Sequence, residues 1–505
     1  GYQALKTLDV GADGFNTAVG YLSGTAMTTG QNNSFLGAQS GDAFTDADGN
    51  TALGAYTLTN DTRGSQSTAV GSQALQNQNL STATNVYNTA VGALAGNSVT
   101  TGVQNTLIGG LAGDAQTAAS NNTALGYGSL STETNGSRNV AIGVLALENQ
   151  NTSGGGNIYN TAVGALAGNA VTTGIQNTLI GALAGTSLTT PNQNVAVGHG
   201  ALDAETAAAR NTAIGTNSLT TQNITTGGNS YNVGLGYFSG ANITTGIQNT
   251  FIGSLAGDAL TDADFNVGVG YTALTSDTLG SKSVAVGHGA LSVQNFTTAT
   301  DSFNTAVGHN AGVNVTTAVH STLIGALAGD ALTTGDSNIA VGYTALSSDT
   351  KGERAVAIGE GALFTQNFTT ETNNYNVGIG YNAGFAVTTG IFNTLVGGLT
   401  GDSITTGDYN VAMGGAALDS ETAGNNSVAI GTSALTNLNL TTDSNSYNVA
   451  VGSNAGQNVT TGVQNVLIGA LAGDALTDAD FNVAIGSSAL GADTLGSRSI
   501  AIGVS

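Results

Sequence analysis

Three acidic runs carry the residue types a divalent cation needs. Asp42/Asp46/Asp48, Asp258/Asp262/Asp264 and Asp474/Asp478/Asp480 share one D-x-x-x-D-x-D spacing. Several carboxylate oxygens near one turn suit Ca2+. The spacing, however, is neither that of an EF-hand loop nor that of the nonapeptide Ca2+ repeat, and Asp is also a common turn residue. The expectation is therefore no cofactor, with Ca2+ the one ion to consider. Asp114, Asp330 and Asp402 repeat the first position of the run without completing it. His199, His288 and His309 recur at one repeat position, where one imidazole from each of several chains could meet a metal. Other copies put unrelated residues there, so no metal site is expected. Seven of the eight basic residues, Arg63, Arg138, Arg210, Lys282, Lys351, Arg354 and Arg498, fall in the tail of the third coil type, which also carries an acid at one fixed position: Asp61, Glu133, Glu205, Asp277, Asp349, Glu421 and Asp493. The spacing reads as surface or inter-chain ion pairs, worth about 0–1 kcal/mol each when exposed. The many G-x-G strings sit at no strand-to-helix junction, which argues against a nucleotide loop. No nucleophile, base or carboxylate pair breaks the repeat, so no catalytic residue is expected.

What positions these residues is a repeat. NTAVG at Asn16 returns as a related pentapeptide at Asn88, Asn160, Asn232, Asn304, Asn376 and Asn448, each step 72 residues. Within a block the starts are 17, 17, 17 and 21 residues apart, and the register runs through 28 starts to Ser499. Offsets below count from each start. Offset +4 is Gly in every copy, including Gly20, Gly37, Gly54, Gly71 and Gly253, and +3 is always Val, Ile, Leu or Met. A fixed register over so many copies requires a structure stacked along one axis. Seventeen residues with β-branched cores and turn-forming TTG or DADG segments fit a coil of two short strands and two turns. Coils stacked in parallel at about 4.8 Å would make a rod of roughly 130 Å. The expected fold is an all-β parallel β-solenoid, one continuous shaft over 1–505 with partial coils at 1–15 and 499–505. Because Gly1 and Ser505 fall inside repeats, the sequence reads as a piece of a longer chain.

Alternation places +1 and +3 on one strand face and +2 on the other. The invariant aliphatic +3 is expected to form the coil's own core. Offset +2 is Ala or Gly in most coils and bulky in the second coil of every block, as at Phe35, Leu107, Phe251 and Leu323. A strand apolar on both faces is buried on both, so the +2 face is expected to meet other copies of the chain in a homotrimer. First and second coils carry Gly at +8 and an apolar residue at +11 (Met27, Val99, Phe44), while third and fourth coils carry Leu at +8 (Leu58, Leu75). One bulky group per coil then fills the interior. Each longer fourth coil ends on an aromatic: Phe15, Tyr87, Tyr159, Tyr231, Phe303, Tyr375 or Tyr447. These mark either protruding loops that bind a receptor or rings plugging the gap left by extra residues.

The NTAVG and GYQAL elements at Gly1–Leu5 and Asn16–Tyr21, and SVAIG at Ser427–Gly431, resemble the β-roll heads of trimeric autotransporter adhesins and the 17-residue repeats of phage tail-fibre proteins. The resemblance covers the whole chain, although the coils are longer than in the autotransporter heads. It implies a left-handed β-roll, three chains around one axis, and a shaft or adhesive role.

Composition narrows the partners. The chain has 505 residues, no Cys or Trp, and 31 acidic against 8 basic residues for a net charge of −23. That sign repels nucleic acid and anionic membranes, and no apolar run is long enough to span a bilayer. Paired Thr residues such as Thr28–Thr29 and Thr100–Thr101 recur mainly in one coil in four, too sparsely for an ice-ordering array. A polysaccharide-cleaving solenoid would need a groove of unique acids and aromatics, which is not seen. The functional expectation is an extracellular fibre shaft, on a virion or a bacterial surface, holding a receptor-binding tip outside this chain. The alternative is a cell-surface adhesin whose flank binds a ligand itself.

Overall fold

A β-branched or hydroxyl residue at +1, a small one at +2 and an aliphatic one at +3, closed by Gly, make a strand only three residues long, as in Thr17–Val19 and Thr68–Val70. The computed structural model describes residues 1–505 and contains strands and turns but no helix. The chain forms two units, Gly1–Asn249 and Thr250–Ser505. The first carries thirteen three-residue strands, from Thr17–Val19 to Val233–Leu235, and the second fifteen, from Thr250–Ile252 to Ile500–Ile502. Within each unit the strands of successive coils pair in parallel and in register. Thr17, Ala18 and Val19 oppose Ser34, Phe35 and Leu36, and Thr322, Leu323 and Ile324 oppose Ile339, Ala340 and Val341. Each unit is thus a parallel β-solenoid. Most coils hold one strand rather than the expected two. A second, two-residue strand forms only between third and fourth coils, as Gly64–Ser65 with Thr84–Asn85 and Gly280–Ser281 with Thr300–Asp301. The four extra residues of the fourth coil precede that short strand.

The strand faces are the reverse of the sequence expectation. The +2 side chains point into the coil's own interior: Leu107 and Phe251 are 0 % exposed, Phe35 and Leu323 1 %. The +3 side chains point outward: Val19 is 53 % exposed, Leu36 52 % and Ile324 39 %. The reason is the width of the coil. A Cβ on Gly378, a +2 position, would lie 2.9 Å from Cγ of Leu363, the +8 residue of the preceding coil. The inward strand position shares its space with the bulky +8 or +11 group, and so is small wherever that group crowds it. Leu58, Leu75, Met27, Phe44 and Val99 are all fully buried and supply that filling. In second coils the Gly at +8 makes room for the larger +2: a Cβ on Gly41 would sit 2.9 Å from the Phe35 ring.

The residue opening each coil, usually Asn, forms an internal ladder. Oδ1 of Asn33 accepts the backbone N–H of Asn50 at 2.8 Å, and its Nδ2 donates to the carbonyl of Ala47 at 2.8 Å. Asn105 and Asn122 repeat the arrangement. At the other end of the strand Gly253 has φ +130, and a Cβ there would lie 2.5 Å from the carbonyl oxygen of Gly270. Both observations exclude a side chain at that position.

Candidate functional site

Four rows of side chains face outward or stay polar, and each comes from one repeat offset. The first is the aliphatic +3 row. Leu36, Leu125, Ile180 and Leu235 in the first unit and Ile324, Ile358, Met413 and Ile468 in the second are exposed. Flanking them at +1 are Thr, Val and Ile, none of them buried in strands such as Val284–Val286 and Thr305–Val307. The outer strand face is thus a continuous apolar and β-branched surface within each unit.

The second row lies immediately before each start and holds the fourth-coil aromatics. They are exposed, so they plug no gap. Nor do they sit in the extra loop; they follow it. In four of the seven a basic residue one coil earlier lies over the ring: Arg138 over Tyr159 at 5.6 Å, Arg210 over Tyr231 at 5.7 Å and Arg354 over Tyr375 at 5.7 Å. Lys282 lies 5.1 Å from the Phe303 ring and pairs with Asp301 at 2.5 Å. On the other side Phe303 stacks on His320, and Tyr375 on Phe392. These rings are members of a stack running from coil to coil.

The third row is the set of acids expected to pair with those cations. They do not. Asp61, Glu133, Glu205, Asp277, Asp349 and Glu421 are buried. Their offset, +11, points inward, and in third coils the carboxylate takes the place of an apolar group. Asp277 accepts the N–H groups of Gly280 at 3.0 Å and Phe296 at 3.1 Å, and Nε2 of Gln294 at 2.6 Å. Gln294 in turn accepts from Asn304 of the Asn ladder at 2.9 Å. Backbone and amide donors thus replace the missing cation, as a buried charge requires. Burial pushes the carboxyls of Asp277, Asp349 and Glu421 above the ordinary range, against the pull of these hydrogen bonds. In the sixth block Leu438 stands where Gln is found elsewhere, and Oε2 of Glu421 has no partner.

The fourth row, at +12, is a column that adjacent Thr pairs do not reveal but a comparison by offset does. The residue there is Thr in first, second and third coils and Asn in fourth coils throughout the chain, from Thr28 to Thr494. Within each unit most of the hydroxyls donate to the next coil: Thr100 to the carbonyl of Thr117 at 3.2 Å, Thr117 to that of Thr134 at 3.2 Å, and Thr134 to Oδ1 of Asn151 at 3.1 Å. Within each unit the column is continuous, contrary to expectation, and its hydroxyl protons are mostly spent along the stack.

The acidic runs divide their carboxylates among separate tasks. Asp48 accepts the N–H of Gln31 at 2.7 Å, and Asp46 lies 3.7 Å from Arg63. In the second unit Asp258 accepts Oγ1 of Thr275 and Asp330 accepts Oγ of Ser347, both at 2.5 Å. The corresponding neighbour of Asp402 is Asp419. Burial first, and Asp419 second, push the Asp402 carboxyl up to about 7. His288 and His309 stack at 5.1 Å with Tyr271 behind His288, and no three His, Cys, Asp or Glu side chains gather as a metal ion needs.

Fold and surface define the class: a parallel β-solenoid repeat protein with an apolar outer strand face. No family model and no curated protein matches the chain.

Proposed function

We propose that the chain is the structural shaft of an extended homotrimeric fibre, a phage tail fibre or similar extracellular appendage, positioning a distal receptor-binding tip for attachment. The observation that supports this reading is the exposed +3 row. All 28 copies are aliphatic or Met, yet these side chains face outward. Soluble monomers rarely expose a contiguous apolar surface of this kind. A partner that covers it must repeat with the same coil period, and the molecule that does so is another copy of the chain. Three copies around one axis would turn all three rows inward. The contact face is then +1/+3, not the +2 face inferred from sequence. In this reading the chain has no catalytic residue and needs no cofactor. The exposed aromatic and cationic stack before each start favours a second reading, a bacterial surface adhesin with a binding flank.

The chain has no Cys, so a single introduced thiol reports on proximity between copies. Ile324→Cys, treated with a short bis-maleimide, gives covalent dimers, whereas Asn295→Cys in the +12 column stays single. An Ile324→Cys protein that reacts only as isolated chains overturns the proposal.

A further inference from the structure

The fourth-coil members of the +12 column share a second feature. Asn79, Asn151, Asn223, Asn295, Asn367 and Asn439 all stand in Asn-x-Ser/Thr triplets, closed by Ser81, Ser153, Thr225, Thr297, Thr369 or Thr441. The conformation displays the triplet in one way. The middle residue turns inward, as Leu80, Phe296, Phe368 and Leu440 do by being buried. The Ser/Thr that follows it is exposed in all six. The amide is oriented as well. In every copy Oδ1 accepts the hydroxyl of the preceding coil's Thr, at 2.8 Å for Asn223, 2.9 Å for Asn439 and 3.0 Å for Asn295 and Asn367. Nδ2 is left with no partner in the chain. Three other triplets of the same composition, at Asn60, Asn314 and Asn458, lack this. Nδ2 of Asn60 donates to Asn77 at 2.8 Å, that of Asn314 to the carbonyl of Asp330 at 2.8 Å, and that of Asn458 to the carbonyl of Asp474 at 2.8 Å. The Thr316 hydroxyl is also spent, on Thr333 at 3.1 Å.

We propose that these six asparagines are acceptor sites for N-linked sugar on the folded surface. Asn-x-Ser/Thr is the acceptor pattern of N-glycosylation. The donor is a sugar activated as its diphosphate ester. Nδ2 attacks C1 of the sugar, the bond from C1 to the diphosphate oxygen breaks, the diphosphate leaves with the electron pair, and the amide gives up one proton to a base of the transferase. The free Ser/Thr hydroxyl is what the transferase reads beside the amide. The sites lie outside the three-residue strands, away from the +3 row, so sugar chains there and contact between copies are compatible. The inference does not depend on the fibre reading.

The test uses the folded chain, a soluble N-glycosyltransferase of Asn-x-Ser/Thr specificity and a nucleoside-diphosphate hexose, with peptide mass spectrometry. The expected result is one hexose on each of the six asparagines and none on Asn60, Asn314 or Asn458. Thr297→Ala abolishes modification at Asn295 and leaves the other five, whereas Thr297→Ser retains all six. The proposal is overturned if the six sites are modified only after the chain is unfolded, or if Asn314 and Asn458 are modified as fully as Asn295.

Discussion

Gly253→Ala adds a single methyl group at the most regular point of the repeat. Its cost follows from two terms. At φ +130 an L-residue is strained, by about 1–3 kcal/mol. The new Cβ would also lie 2.5 Å from the Gly270 carbonyl oxygen. Relieving that overlap moves Gly270, whose N–H donates to Ile252 at 2.8 Å, and losing such a ladder bond costs about 1 kcal/mol more. The sum is about 2–4 kcal/mol per chain, incurred three times on one layer in a trimer. Since each coil contacts only its neighbours, the lesion stays local. Limited proteolysis is expected to cut near residue 253 and leave two resistant pieces, with a lowered first melting transition. Ser254→Ala, beside it, is expected to behave as the parent. If Gly253→Ala melts and digests like the parent, the account of the strand-ending corner is wrong.

Leu438→Gln restores the amide found in the other blocks, giving Glu421 its missing donor and Asn448 an acceptor; thermal unfolding is expected to show a gain of about 1 kcal/mol, and a loss would contradict the buried network. Stability is expected to depend on pH through Asp402. Its folded carboxyl is raised to about 7 from an ordinary 3.8, so its contribution is full below the ordinary value and is lost as pH rises through about 7. Melting temperature of the second unit therefore falls between about pH 4 and 7, and Asp419→Ser, which copies Ser347 of the preceding block, flattens that fall; an unchanged slope would refute the coupling.

The repeat register, the coil lengths and the +4 glycines were legible because self-comparison within one chain reveals any position with a fixed environment. The choice between strand faces was not. Reading the most uniformly aliphatic position as core fails where both faces are apolar, and only the width of the coil shows that the inner one is the smaller: Ala340 lies inside while Ile339 and Val341 lie outside. The acids at +11 misled because charge suggests surface. Their partners are mostly backbone N–H groups such as that of Gly280, which no sequence displays, although the Gln one coil later at the same offset, as at Gln294, was an available sign. The Asn ladder and the Thr column were equally open to a count by offset. Their hydrogen bonds, and with them the outward Nδ2 of Asn295, required coordinates.

The central claim is that the outer strand face is covered by further copies of the chain. Its most direct test is the mass of the purified chain in solution, measured by light scattering across a range of dilutions. The account predicts a single species of about three times the 49.4 kDa chain mass. A stable, folded species of 49.4 kDa, with its +3 row in water, would contradict it.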